Sequence, residues 1–117
     1  MAQYIIPVTK KLLIALFANV IPDFRLSKAD ARCLLWYLEE YGCRLEYDVI
    51  APQLYLNEID EKEVTSFDIY DLVTYCADRN YDMQEEERSK EQPDPDVLVR
   101  LKRDNNRFDR LVERMGE

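Results

Sequence analysis

The sequence predicts an all-α protein: a compact bundle of about four to five helices, with an acidic linker before a C-terminal helix. Three observations point that way. Apolar residues recur at helical spacing in several long segments. Only two glycines occur, Gly42 and Gly116, too few for a turn-rich β fold. Capping residues stand in front of the best periodic segments. The rival is an α+β fold with one small hairpin near residues 44–59.

The first helix is expected from about Val8 to Val20, with Thr9 near its start and Pro22 closing it. Its apolar residues cover every face, which predicts a central, buried helix. The run from Leu12 to Ala18 is too short to span a bilayer. Lys10 and Lys11 precede it as in a secretory leader, but Met1–Val8 is mostly apolar and unlike a charged leader start. No membrane segment is therefore expected.

The second helix has the clearest signals. Ser27 and Asp30 form an S-x-x-D capping box, Ala31, Leu34, Leu35, Leu38 and Tyr41 follow at helical spacing, and Gly42 suits a left-handed cap. Cys33, Trp36 and Tyr37 widen its apolar face. Between Cys43 and Glu63 two patterns compete. Arg44–Val49 alternates polar and apolar like a strand, whereas Asp48 could cap a helix over about Val49–Glu58 with Pro52 in its first turn and Leu54, Tyr55 and Ile59 on one face. The helix is the favoured expectation.

A further helix should run from near Ser66 to near Asn80, burying Ile69, Leu72, Val73 and Cys76. The last should start at Pro95, capped by Asp94, and end near Met115. The implied organisation is a core domain over 1–82, an acidic linker over 83–96 and a C-terminal helix over 97–117 that docks on the core or on a second subunit.

The net charge of −8 is unevenly placed. Acidic residues concentrate in 39–96, while both ends are mildly basic. Within the acidic block Asp68, Asp71, Tyr75, Asp78 and Asp82 step by three and four, so a continuous helix would align them on one face, followed by Glu85, Glu86 and Glu87. In the last helix Arg100, Arg103, Arg107, Arg110 and Arg114 do the same. A heptad with Leu98, Asn105 and Val112 at a, and Leu101, Phe108 and Met115 at d, puts all five arginines away from the apolar seam. Solvated helix faces explain both rows without function, with Asp96, Asp104 and Glu113 partly neutralising the arginines. The sharper reading makes them two partner-binding surfaces.

The chemistry of catalysis is sparse. The chain has no histidine, no paired cysteine motif among Cys33, Cys43 and Cys76, no Gly-rich phosphate loop, and no calcium-loop order in 57–63. The expectation is a non-catalytic, cytoplasmic binding protein without a cofactor or metal. Its acidic middle would contact a basic surface on another protein, in a concrete version as an inhibitor imitating nucleic-acid charge, of phage or mobile-element type. A homodimer is compatible with the apolar seam. The alternative is a small dimeric nucleic-acid-binding regulator that uses the arginine face, for which arginine's planar fork suits phosphate.

Overall fold

The computed structural model describes residues 4–58 and 64–116. The elements run β1 (Ile5–Pro7), α1 (Lys10–Val20), α2 (Lys28–Glu40), β2 (Cys43–Asp48), β3 (Gln53–Glu58), β4 (Val64–Phe67), α3 (Ile69–Arg88) and α4 (Pro95–Met115). The four strands form one antiparallel sheet in the order β1-β2-β3-β4. The fold is therefore α+β, which corrects the all-α expectation. The helix expected over 49–58 is the second strand of a hairpin, and β1 and β4 extend that hairpin on both sides; Ile59, named as an anchor of that helix, lies outside the described residues.

The physical reason lies in Asp48 and in the period of the flanking residues. Asp48 Oδ1 accepts the N–H groups of Ile50 and Ala51, at 2.9 and 3.2 Å, and so closes a turn instead of opening a helix. Beyond the turn Leu54 and Leu56 are buried while Gln53 is exposed, the same period of two seen in Cys43, Arg44 and Leu45. Two alternating segments around a turn bury one continuous apolar face, which a helix over 49–58 with Pro52 in its first turn does not achieve. The opposite face is polar: Gln53 donates to Ser66, and Asn57 to Glu46.

On β1, Tyr4 accepts from Val49 N–H and Val8 N–H donates to the Leu45 carbonyl, both at 2.9 Å. In an antiparallel ladder the intervening odd positions, Ile5 and Pro7, then turn their backbone groups to the open edge. Proline has no N–H, so that edge lacks a donor at Pro7.

α1 is one-sided rather than buried all round. Leu13, Leu16 and Phe17 are in the core, while Ala15, Ala18 and Val20 face outward, the alanines being small enough to lie in solvent at little cost. Thr9 caps it by accepting from Leu12 N–H at 3.2 Å. At α2 only half of the expected capping box forms. Ser27 accepts from Asp30 N–H at 3.0 Å, but the Asp30 carboxylate turns to Arg107 at 2.6 Å. Gly42 takes the left-handed conformation, φ 69°, that ends the helix and starts β2.

α3 begins later and ends later than expected. Ser66 lies in β4, and Asp68 and Asp71 make the reciprocal capping box. The helix continues through Arg88 because Met83–Arg88 consists of good helix formers and Arg88 pairs with Glu85 at 2.7 Å. The connection to α4 shrinks to 89–94. There the Glu87 carboxylate accepts Asp94 N–H at 2.9 Å and Lys90 at 3.0 Å. α4 starts as expected, with Asp94 accepting from Asp96 N–H at 2.9 Å and Pro95 in the first turn.

α4 docks on the core of its own chain through Leu101, Phe108, Leu111 and Met115. Tyr37 meets Phe108 edge to face, with ring centroids 5.3 Å apart. The d row of the expected seam is thus in place, but the a row is displaced by one residue. Asp104 and Leu111 are buried, Leu98 and Asn105 are half-buried, and Val112 is 48% exposed.

Candidate functional site

The aspartate row divides among separate local tasks. Asp68 and Asp71 complete the α3 cap, Asp82 pairs with Arg79 at 3.0 Å, and Glu85 pairs with Arg88. Glu87 is buried, and its pKa is lowered first by the Asp94 N–H and then by Lys90. Tyr75 packs inward, its hydroxyl 3.3 Å from Cys43 Sγ, and its pKa is pushed up to about 12, chiefly by burial. Asp78 and Glu86 remain exposed, and among the described residues neither forms an ion pair.

The arginine ladder splits in the same manner. Arg100 lies over the Trp36 ring at 4.2 Å, Arg107 reaches Asp30, and Arg114 covers Phe24 at 4.3 Å while donating to the Arg25 carbonyl at 3.1 Å. These three sit seven residues apart and fasten α4 to α2 and to the α1–α2 loop. Arg103 and Arg110 stay exposed, without an ion pair among the described residues.

Beneath α4 lies a buried polar chain. Arg88 donates to Gln84, Gln84 to Asn80, Asn80 to the Tyr37 hydroxyl at 2.7 Å, and Tyr37 to Asp104 Oδ2 at 2.7 Å. Asn80 also donates to the Leu101 carbonyl at 2.8 Å. Each link ends on a partner, so the chain ties α2, α3 and α4 together as a satisfied network. Burial pushes the Tyr37 hydroxyl and the Cys76 thiol up. Cys33 rises to about 12, by burial first and by the nearby Asp104 second. These groups therefore stay protonated, a state that suits structural donors and not activated nucleophiles.

Glu86 lines a groove of about 420 Å³ between the end of α2, the second half of α3 and the start of α4. Trp36 and Tyr41 give it aromatic walls, Met83 and Val97 add apolar surface, and Glu40 and Glu86 stand on its rim. Glu40, like Glu86, is exposed and lacks an ion pair among the described residues. Tyr41 shares the groove with Lys90 and Arg100 as well as with the carboxylates. Its hydroxyl pKa is raised by burial and then by Asp82 and Glu86, against the opposing Arg79. Arg79 itself stacks between Tyr41 and Tyr75, at 5.3 and 5.1 Å from their centroids.

Of the expected site residues, the groove takes in Glu86, Glu87, Arg100 and Leu101. Tyr41 belongs to the tyrosines that cluster around the acidic block in the sequence, whereas Trp36 and Glu40 were not singled out as contact residues. A signal for one existed: Glu39-Glu40 closes α2, where the helix dipole disfavours carboxylates, so stability does not account for them. Among the described residues no group of three or more His, Cys, Asp or Glu side chains could hold a metal ion. No helix among them is long and apolar enough to cross a membrane. Comparison with family models, with curated proteins and with solved structures finds no match.

Proposed function

We propose that the protein is a non-catalytic binding protein that contacts a basic surface on another protein through the groove between α2, α3 and α4. One observation carries this reading. Glu40 and Glu86, on the rim of a groove walled by Trp36 and Tyr41, form no ion pair among the described residues, while Lys90 is taken up by Glu87 and Arg100 by the Trp36 ring. Aromatic surface beside carboxylates suits the long, partly apolar side chains of lysine and arginine, which give both stem and charge to a contact. The caps and pairs that occupy Asp68, Asp71, Asp82 and Glu85 favour a local pocket for a few basic side chains over an extended row imitating phosphates.

The test is fluorescence anisotropy with a labelled octa-arginine peptide at low ionic strength. Binding that weakens with added salt is expected. The double variant Glu40→Gln/Glu86→Gln should lose about three- to tenfold in affinity, the range for two exposed charge pairs. The same charge change placed at Asp78 and Glu113 should leave affinity within about twofold of the parent. Equal weakening by both pairs would reduce the effect to overall charge and overturn the assignment of the groove.

A further inference from the structure

We infer that the ligand of this groove is an arginine side chain of the basic partner, and that Arg100 is its resident stand-in on the Trp36 ring. This rests on the groove being the contact site. On binding, the partner's guanidinium displaces Arg100 and lies on Trp36 within reach of the Glu40 and Glu86 carboxylates.

The argument starts from what each group in the groove lacks. Arg100 has a ring to lie on, 4.2 Å from its guanidinium carbon, but no carboxylate partner among the described residues. Glu40 and Glu86 form no ion pair among the described residues, and Lys90, the other cation of the groove, is paired with Glu87 at 3.0 Å. Arg79, which shares Tyr41 with the groove, has both kinds of partner at once, with Tyr41 and Tyr75 on its faces and Asp82 at 3.0 Å. Arg79 is thus an internal example of the complete arrangement, and Arg100 of half of it. A guanidinium arriving from outside is free of the α4 backbone and can meet ring and carboxylates together.

Two further points favour displacement over addition. Arg100 is exposed and held by a single stacking contact, which is a weak tether at a solvated site. Its long stem lets it swing into solvent without moving α4. Arginine is favoured over lysine as the ligand because a planar, weakly hydrated cation stacks on a ring while its edge donates to carboxylates.

Trp36 is the sole tryptophan, so its emission reports the groove directly. The experiment titrates the full chain with octa-arginine and with octa-lysine, and compares Arg100→Lys, Arg100→Gln and Arg103→Gln. Arg100→Lys keeps the charge and weakens the stack. The expected result is octa-arginine affinity raised roughly two- to fivefold by Arg100→Lys, a change in Trp36 emission on binding, and preference for octa-arginine over octa-lysine. The inference is overturned if Arg100→Lys binds like the parent while Arg100→Gln and Arg103→Gln tighten equally, since charge alone would then account for the gain. It is also overturned if binding depends on Glu40 and Glu86 but leaves Trp36 emission unchanged, an outcome that spares the groove itself. No binding of octa-arginine by any form overturns both readings.

Discussion

Asn80 has no exposed surface and still satisfies its donors, giving one hydrogen to the Tyr37 hydroxyl and one to the Leu101 carbonyl while accepting from Gln84. Replacing it by alanine leaves Gln84 and Leu101 with unmet polar groups and opens a small void. Asn80→Ala should therefore cost about 3 kcal/mol of stability, read from the midpoint of urea unfolding. Tyr37→Phe strands the Asp104 carboxylate and should cost about 2 kcal/mol. Because both residues belong to one chain of bonds, the double variant should lose less than the sum. None of this was legible in the sequence. Asn80 reads as the polar end of a helix, and Asp104 as a neutralising neighbour of the arginines. Burial of a carboxylate is decided by a tyrosine 67 positions away, and no local pattern records that pairing. The same distance hid the cation–π role of Arg100, whose ring is supplied by α2.

At the level of elements the starts of α1, α2 and α4 were legible, whereas the bounds of α3 and the strands were not. Caps at Thr9, Ser27 and Asp94 are local chemistry, written within three residues of where they act. The β2–β3 hairpin is not local: its alternation was visible, but Asp48 and Pro52 fit a helix start as well as a turn. β4 escaped notice because four residues, Val-Thr-Ser-Phe, leave too short a pattern. The junction of α3 and α4 makes a prediction about pH. The Glu87 carboxylate, held by Asp94 N–H and Lys90, has a pKa below its ordinary 4.5. A group lowered by folding adds stability that is fully present above the unfolded value and is lost as pH falls through the folded one. Thermal melts should therefore show the parent losing its advantage over Glu87→Gln below about pH 4.5, with the advantage constant at neutral pH. A difference that persisted unchanged into acid would assign the effect to packing.

For the molecule as a whole, α4 is part of the core and not an appendage. It supplies Leu101, Phe108, Leu111 and Met115 to the apolar cluster and Asp104 to the buried network. A chain ending at Arg88 exposes the facing surfaces of α2 and α3 and should lose cooperative unfolding, seen as a broad, shallow transition by circular dichroism. A sharp transition would show that 1–88 folds alone. The charge layout was legible at this scale, because it depends only on composition along the chain. Its distribution among caps, pairs and the groove was not, because that depends on which helix faces which. The sheet adds a consequence for self-association. Strand-by-strand polymerisation needs two competent ends, and Pro7 removes a donor from the β1 end. The β1 edge is thus one donor short, so edge-to-edge joining of copies is weaker there than at β4, the other end of the described sheet.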